Sequence, residues 1–408
     1  MADKLTGACL FAQSGGPTSV INASAYGVIR TALDMLEITG VYGASHGITG
    51  ILNDELYDLG KEDEDELALL MNTPSSALGS CRYKIKGEGD LERILEIFRK
   101  YDIRYFFYNG GNDSMDTCQK ISDFMEKNDY KCSVIGVPKT IDNDLCGTDH
   151  CPGYGSAAKY IATAVAEVYK DATVYDTGMI VIIEIMGRHA GWLTGAAALA
   201  SLAGSPPDLI YLPEIPFDME SFLRDVDLIY KAKNYCLVAV SEGIRNLGGG
   251  FVSEAKTSAT DGFGHEQLGG LASMLSRIVK HRLGVKVRGI ELSLLQRCSA
   301  HIASQTDIDE AFLAGKAAVE YACNGGTGKM VAFNRDMSSG SYRCEVVFQP
   351  LSLIANAEKK VPREWINEAG TNVTQEFIEY ALPLIQGENT RKIENGLPRF
   401  AKLRKMRV

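Results

Sequence analysis

Two short segments of this sequence concentrate side chains that could handle phosphate and a metal ion. Residues 110–114 read Gly-Gly-Asn-Asp-Ser, and residues 138–144 read Pro-Lys-Thr-Ile-Asp-Asn-Asp. Carboxylate and amide oxygens suit Mg2+, while a lysine and exposed backbone amides favour phosphate. If the fold brings both segments together, their combined chemistry is that of phosphoryl transfer.

The residues before each segment predict the elements that position it. Residues 104–109 and 133–138 are short β-branched or aromatic runs that end at Gly or Pro, as buried parallel strands do. Strand-like and helix-like segments alternate along most of the chain, which predicts parallel sheets with helices on both faces. Because ligands bind beyond the carboxyl ends of such strands, we expect both segments to face one crevice.

The strand-like segments outnumber what one sheet comfortably holds. We therefore predict an α/β fold with two doubly wound domains, whose mainly parallel sheets face each other across a cleft. The first domain is expected to cover residues 1–153 plus about 296–330, and the second residues 154–295. Residues 331–408 form a C-terminal extension without an assigned role, and its basic end, from Arg399 to Arg407, is predicted to be a solvated tail.

Composition and charge argue against several classes of partner. The net charge of -10 disfavours nucleic acid, whose backbone requires a basic surface. No apolar stretch approaches the roughly 18 residues of a membrane span, and the first residues lack a secretory signal, so a cytoplasmic protein without a membrane partner is expected. The ten cysteines form no CxxC pair, which favours reduced thiols over a zinc or redox site.

Several candidate residues each have a functional and a purely structural interpretation. Asp142 and Asp144 could provide a general base and a carboxylate that organises Mg2+, or they could belong to a turn rich in Asx side chains. Lys139 could neutralise a transferred phosphoryl group, or it could be a surface lysine. Gly15, in Ser-Gly-Gly at residues 14–16, fits either close backbone approach to an anion or a tight turn.

Further charged residues follow other predicted strands. Met186-Gly187-Arg188 could clamp a phosphate through its arginine, and Glu242 could accept hydrogen bonds from sugar hydroxyls. Charged residues at strand ends are often only solvated, so neither assignment is unique. Arg82, Arg288 and Arg297 are candidates for phosphate contacts or for surface ion pairs.

In combination these motifs resemble those of the phosphofructokinase family between Gly15 and about Gly328. The resemblance rests on Ser14-Gly15-Gly16, Gly79-Ser80-Cys81-Arg82, residues 110–114, Thr140 to Asp144 with Gly147-Thr148-Asp149, Met186-Gly187-Arg188, Glu242 and Leu295-Gln296-Arg297. It implies the phosphofructokinase-like fold and Mg2+-dependent phosphorylation of fructose 6-phosphate at its 1-hydroxyl, a step of glycolysis. It also implies a homo-oligomer, either a dimer or a tetramer.

The resemblance also implies a role for each candidate. Asp142 would be the proton acceptor, with Lys139 and Arg188 as further catalytic residues. The residues expected at the sugar phosphate are Thr140, Ile141, Asp142, Met186, Gly187, Arg188, Glu242, Arg288 and Arg297, with Arg288 reaching in from a neighbouring subunit. Those expected at the phosphoryl donor are Gly15, Arg82, Asp113 and Lys139, and those at the metal are Asn112, Asp113 and Asp144.

Asp113 and Lys139 bear on the identity of the donor. The ATP-using branch of the family usually has glycine at both positions, whereas the diphosphate-using branch is similar to this chain. A carboxylate about 4 Å from an ATP phosphate would cost on the order of 4 kcal/mol at an effective dielectric of about 20. The leading hypothesis is therefore a reversible, diphosphate-dependent enzyme, and the alternatives are an ATP-dependent 6-phosphofructokinase and a regulatory subunit that has lost the chemistry.

Three positions depart from the family pattern. Asn112 stands where an aspartate associated with Mg2+ often lies, so the metal is expected to depend more on the neighbouring aspartates. Met179 replaces an arginine that in many relatives contacts the 6-phosphate, and Leu294 replaces a polar residue near that phosphate. Part of the 6-phosphate pocket must therefore be built differently or bind more weakly.

Overall fold

The computed structural model describes residues 5–253, 268–354 and 357–408. Its strands are β1 (Gly7–Gln13), β2 (Ile38–Ala44), β3 (Leu56–Asp58), β4 (Ile103–Gly110), β5 (Ser133–Pro138), β6 (Met179–Ile185), β7 (Leu209–Tyr211), β8 (Tyr235–Ser241), β9 (Val287–Glu291), β10 (Lys329–Asp336), β11 (Arg343–Pro350), β12 (Ile393–Glu394) and β13 (Leu397–Pro398). The last two pair as a small hairpin, and the others form two sheets.

The helices alternate with these strands as the sequence pattern predicts. They are α1 (Ile21–Asp34), α2 (Ile48–Leu52), α3 (Glu64–Ala68), α4 (Glu88–Lys100), α5 (Asn112–Lys127), α6 (Tyr154–Ala172), α7 (Trp192–Gly195), α8 (Met219–Lys233), α9 (Leu271–Leu283), α10 (Leu295–Cys298), α11 (Gln305–Cys323), α12 (Leu351–Ile354) and α13 (Gln375–Ala381). Short 3₁₀ helices lie at Leu59–Lys61, Leu69–Asn72, Ala196–Ala203, Ala300–Ile302, Arg363–Trp365 and Leu382–Ile385.

The first sheet has seven strands in the order β11-β10-β5-β4-β1-β2-β3. Its five inner strands are parallel, and β1, β4 and β5 carry almost only buried residues. The two edge strands, β3 and β11, are antiparallel to their neighbours. The predicted sheet is therefore confirmed as mainly parallel, with an antiparallel strand added at each edge.

The second sheet has four parallel strands in the order β7-β8-β6-β9. Helix α7 ends at Gly195, and a 3₁₀ helix continues from Ala196 to Ala203. Helix α9 begins at Leu271, shortly after residues 254–267, which lie outside the described residues. The predicted domain boundaries stay a prediction.

The C-terminal extension adds strands to the first sheet and packs a helix beside the second. β10 and β11 extend the first sheet, whereas Phe377 and Ala381 of α13 are fully buried in the core beside the second sheet, in the same cluster as Trp192. No helix of the described residues has both the length and the apolar character that crossing a membrane requires.

The prediction that the basic end is a solvated tail is wrong for its backbone. The N–H of Asp58 donates to the carbonyl of Met406 at 2.8 Å, and the N–H of Val408 donates to the carbonyl of Leu56 at 3.2 Å. The N–H of Lys402 donates to the Glu66 carboxylate at 2.6 Å. The tail is thus fixed against β3 and α3, although most of its basic side chains remain exposed.

Candidate active site

A cleft of about 560 Å³ lies at the carboxyl ends of strands from both sheets. Most of the residues singled out in the sequence line it, as the alternation of strands and helices predicts. They are Gly15, Arg82, Asn112, Asp113, Lys139, Thr140, Ile141, Asp142, Asp144, Met186, Arg188, Glu242 and Arg297. Residues 110–114 and 138–144 therefore do face one crevice, as predicted.

Gly15, just after β1, connects two segments of the cleft wall, residues 14–16 and residues 80–82. Its φ of +74° lies in the left-handed region, where glycine adopts the backbone without strain. The Gly15 N–H donates to the carbonyl of Cys81 at 3.0 Å, and the Ser80 hydroxyl donates to the carbonyl of Gly15 at 2.6 Å. These bonds hold the segment that carries Arg82 against the loop at residues 14–16.

Asn112 and Asp113 lie in the first turn of α5, directly after β4. A Cβ atom on Gly110 would come within 2.0 Å of the Ser114 hydroxyl, so the strand can enter the helix this closely only with glycine there. The carboxylate of Asp113 pairs with Lys84 at 3.2 Å. The backbone amides of a helix N-terminus favour an anion, which makes this turn suitable for a phosphate group.

Lys139 follows β5 and is almost fully buried, with 3% of its surface exposed. Its Nζ donates to the carbonyl of Gly16 at 2.7 Å, and its backbone N–H donates to the carbonyl of Gly110 at 3.0 Å. Burial lowers the pKa of Lys139 to about 8, against the opposing effect of Asp142. This lysine is therefore not a surface residue, and it links the two predicted segments directly.

Three carboxyl groups of the cleft have raised pKa values. Burial is the main cause for Asp142, whose pKa is about 6 and is raised further by the nearby charge of Glu242. Burial also raises the pKa of Asp144 to about 7, with Asp142 adding to the effect, and the pKa of Glu242 to about 7. A base with such a pKa exchanges protons near neutral pH, as general base catalysis requires.

The turn after β6 and the end of β8 form the opposite wall. The N–H of Glu242 donates to the carbonyl of Ile185 at 2.9 Å, and the N–H of Gly187 donates to the Glu242 carboxylate at 3.4 Å. The Ser241 hydroxyl donates to the carbonyl of Gly187 at 2.6 Å. These bonds fix the turn that presents Met186 and Arg188 to the cleft.

Arg297, in the short helix α10, places a second guanidinium beside that of Arg82, near the loop at residues 14–16. Its Nη1 lies 3.1 Å from where a Cβ atom of Gly16 would be, and Nη2 of Arg82 lies 3.8 Å from the same point. Burial lowers the pKa of Arg297, and the neighbouring charge of Arg82 lowers it further. With Lys139 these arginines place three cations in one part of the cleft, which suits a highly charged phosphate ligand.

Two of the predicted site residues do not line this cleft. Gly187 is buried within the turn before Arg188, with a φ of +133°. Arg288 lies on the edge strand β9 and is exposed, so its predicted contact from a neighbouring subunit stays a prediction. Met179 is buried at the opposite end of β6 from the cleft, and Leu294 is 55% exposed.

The cleft also contains residues that the sequence analysis did not single out as site residues. Lys84 and Glu358 both line it, together with His189, which is the neighbour of Arg188. Lys84 could have been found as a second basic residue just after Arg82. Glu358 carries no such signal, because it reaches the cleft only through the fold of the C-terminal extension.

Three residues of the cleft, Asn112, Asp113 and Asp144, carry oxygen atoms of the kind that bind a divalent cation. Oδ1 of Asn112 is buried and has no hydrogen-bond partner among the described residues. Asp113 and Asp144 line the same cleft. Hard divalent cations prefer carboxylate and amide oxygens, and a cation would offset the repulsion between Asp144 and the neighbouring Asp142.

Comparison with known proteins agrees with this geometry. A model of the phosphofructokinase family matches residues 8–290. Proteins named pyrophosphate--fructose 6-phosphate 1-phosphotransferase from Halomonas elongata and Methylococcus capsulatus are each 46% identical, over 98% and 96% of this chain and 96% and 95% of their own lengths. The crystal structure of a pyrophosphate-dependent phosphofructokinase from Nitrosospira multiformis is 41% identical, with a TM-score of 0.91 over 98% of both chains.

This chain belongs to the phosphofructokinase family. Its fold is the phosphofructokinase fold, as the sequence motifs predicted.

Proposed function

We propose that this protein transfers a phosphoryl group from diphosphate to the 1-hydroxyl of fructose 6-phosphate, giving fructose 1,6-bisphosphate and phosphate. The observation that carries the proposal is the position of Lys139, which is buried beside Gly15 and Gly16 in the same cleft as Asp113 and Asp142. The names of relatives that match nearly the whole chain support the same donor and acceptor.

In this mechanism Asp142 accepts the proton of the 1-hydroxyl as that oxygen attacks the nearer phosphorus of diphosphate. A new P–O bond forms, the bridging P–O bond breaks, and phosphate leaves. The charge of the transferred group is balanced by Lys139, Arg82 and Arg297, which converge on the donor loop. Met186, Arg188 and Glu242 form the sugar side, with Thr140 and Ile141 beside the proton acceptor. Gly187 contributes to sugar binding through its backbone N–H, which donates to the Glu242 carboxylate.

Mg2+ is the metal we infer for this site, and Asn112, Asp113 and Asp144 would hold it. When bound it neutralises charge on the donor phosphates. Side chains of the protein perform the other steps, because they position both substrates and accept the proton.

Asp113 and Lys139 together account for diphosphate as the donor. The Asp113 carboxylate repels the α-phosphate that ATP would place there, at a cost on the order of 4 kcal/mol or nearly a thousandfold in affinity. Lys139 supplies a positive charge to a small anion that has no adenosine to anchor it. Because diphosphate cleavage releases less free energy in context than ATP cleavage, the reaction is expected to be reversible.

Other properties of the protein belong to the same proposal. We infer a homo-oligomer, a dimer or a tetramer, in which Arg288 contacts the 6-phosphate of the adjacent subunit; its exposure on the edge strand β9 supports this assignment. The donor would be bound by residues 1–153 with 296–330 and the sugar by residues 154–295. A cytoplasmic location is supported by the ten cysteines, all of which are free thiols.

The proposal is tested by comparing donors in both directions. Purified protein with Mg2+ and fructose 6-phosphate should turn over with diphosphate and not with ATP, and the reverse reaction should use phosphate and not ADP. Turnover with ATP alone would instead establish the ATP-dependent alternative. A chain that binds fructose 6-phosphate without turnover on either donor would be a regulatory subunit.

The donor-selecting pair is tested by the double variant Asp113→Gly with Lys139→Gly. We expect its diphosphate turnover to fall and its ratio of ATP to diphosphate turnover to rise, by about 10-fold or more, because each change removes an electrostatic effect of several kcal/mol. The matched control is Asp116→Asn with Lys120→Gln, which removes the exposed ion pair of 2.6 Å on the same helix α5. An unchanged donor ratio in the glycine variant would show that the pair does not select the donor.

A further inference from the structure

Asn143 separates the two carboxylates of the loop, and its side chain is held on both sides. It is fully buried and does not line the cleft, and its backbone φ of +55° lies in the left-handed region. Its Oδ1 accepts a hydrogen bond from the N–H of Cys151 at 3.0 Å, and its Nδ2 donates to the hydroxyl of Tyr380 at 2.8 Å. The conformation between Asp142 and Asp144 therefore depends on two bonds of this amide.

Tyr380 comes from α13 in the C-terminal extension, far from the loop in sequence. Its hydroxyl accepts from Asn143 and donates to the carbonyl of Asp149 at 2.7 Å, so both partners belong to the segment between β5 and α6. Its ring packs against Trp192 and Trp365, with centroids 5.2 Å away in each case. A ring fixed in the core thus presents one hydroxyl to an irregular loop.

A second residue of the extension contacts the same loop. The N–H of Lys359 donates to the carbonyl of Asp144 at 2.8 Å, and its Nζ donates to the carbonyl of Asp149 at 2.7 Å. The loop between Pro138 and Tyr154 contains no helix or strand of its own. Groups outside the loop therefore help to set its shape, together with bonds within it such as that from Cys151 to Asn143.

We propose that Tyr380 is a positioning residue for phosphoryl transfer, because its hydroxyl fixes Asn143 and thereby the direction in which the loop presents Asp142. The inference rests on the proposed function, in which Asp142 accepts the proton. A displacement of about 1 Å at a reacting group can cost about 100-fold in rate, so the loss of one hydroxyl is expected to affect turnover more than substrate binding.

The test is Tyr380→Phe in the full-length protein, which removes the hydroxyl and keeps the ring. We expect kcat to fall by about 10-fold to 100-fold, with the KM for fructose 6-phosphate changed by less than about 3-fold. The matched control is Tyr130→Phe. The Tyr130 hydroxyl lies 2.9 Å from each of two backbone carbonyls, and the residue is 9% exposed against 8% for Tyr380. Those carbonyls belong to Phe98 and Ile103, which lie outside the loop that carries Asp142.

Both variants should lose similar stability in thermal unfolding, and only Tyr380→Phe should lose kcat. A kcat for Tyr380→Phe equal to that of the control would overturn the proposal, since the hydroxyl would then have a purely structural role. Each variant is measured with whichever donor the unmodified protein uses. The proposed function is tested on the unmodified protein alone, so its failure can be distinguished from a failure of the proposal for Tyr380.

A coupling experiment tests the route through Asn143. Asn143→Gly removes the amide and tolerates the positive φ, so it should lower kcat by a similar factor. If Tyr380 acts through Asn143, adding Tyr380→Phe to this variant should lower kcat by less than about 2-fold more. Multiplicative losses in the double variant would contradict the proposed route.

Discussion

Burial, more than any single neighbour, sets the ionisation of the acidic residues in the cleft. It is the largest cause of the raised pKa values of Asp142, Asp144 and Glu242. The same burial lowers the pKa of Lys139 to about 8. An acid and a base with pKa values near neutrality therefore lie side by side before any substrate is bound.

At Asp142 the expected consequence of losing the base is a loss of turnover without a loss of binding. Asp142→Asn should lower kcat by about 100-fold to 10,000-fold, the usual contribution of a general base. Steady-state rates and fructose 6-phosphate binding by calorimetry check this expectation. Asp116→Asn, at a half-buried carboxylate on α5 outside the cleft, is the control and should leave both values unchanged. Equal kcat values for the two variants would remove Asp142 from the mechanism.

The pKa values also predict a bell-shaped dependence of kcat/KM on pH. As the pH falls through about 6, Asp142 becomes protonated and can no longer accept a proton, so the rate declines. As the pH rises through about 8, Lys139 loses its charge, and the rate declines again. Initial rates between pH 5 and pH 9 would measure both limbs.

Lys139→Arg identifies the group behind the alkaline limb. A guanidinium keeps its charge throughout this range, so the alkaline limb should shift to higher pH even if the rate is lower. Lys120→Arg, at an exposed lysine, is the control and should leave the profile as it is. An alkaline limb that persists unchanged in Lys139→Arg would assign it to another group.

At the scale of elements, the start of α6 is anchored by a carboxylate from another helix. Asp307 of α11 accepts hydrogen bonds from the N–H groups of Gly153 and Ser156, both at 2.8 Å, and is 2% exposed. Gly153 in turn forms a bridge with Thr140. The cap therefore connects α11, α6 and the loop that carries Asp142.

Removing this cap should destabilise the protein. Asp307→Ala leaves two amide groups of α6 without a partner, at a cost of about 1–3 kcal/mol, and should lower Tm. Asp309→Ala, at an exposed position on the same helix, should leave Tm nearly unchanged. Differential scanning calorimetry of the two variants makes the comparison, and equal Tm values would show that the cap contributes little.

Elements whose residues carry local signals were predicted from the sequence, whereas contacts between residues far apart in the sequence were not. Strands β4 and β5 and the loops after them were predicted because apolar runs and the residues that end them are local signals. The antiparallel strand β11 was not predicted, since half-buried strands on a sheet edge alternate less clearly. The contact between Asn143 and Tyr380 spans 237 residues and has no local signal at all.

At the scale of the whole molecule, the C-terminal tail closes the edge of the first sheet. Backbone groups from Lys402 to Val408 bond to Glu62, Glu66 and the strand β3. An edge strand left open exposes unpaired backbone groups to other chains. The tail therefore covers a surface that would otherwise favour association.

Deleting residues 399–408 should lower Tm by a few degrees and leave kcat unchanged, because the tail lies outside the cleft. Substituting alanine for Lys402, Arg404 and Lys405 is the control, since it removes exposed charges and keeps the backbone bonds. Thermal unfolding should distinguish the two, with little change in the control. If the alanine variant lost as much stability as the deletion, charge attraction rather than backbone pairing would hold the tail.

The order in which the chain crosses the molecule has a consequence for its synthesis. The cleft loop at residues 139–153 leaves the ribosome long before Lys359 and Tyr380, the two residues of the extension that bond to it. Segments late in the chain also complete both halves of the fold. Strands β10 and β11 complete the first sheet, and residues of α13 complete the core beside the second sheet. A nascent chain therefore acquires this loop geometry only after Lys359 and Tyr380 have emerged and can bond to it.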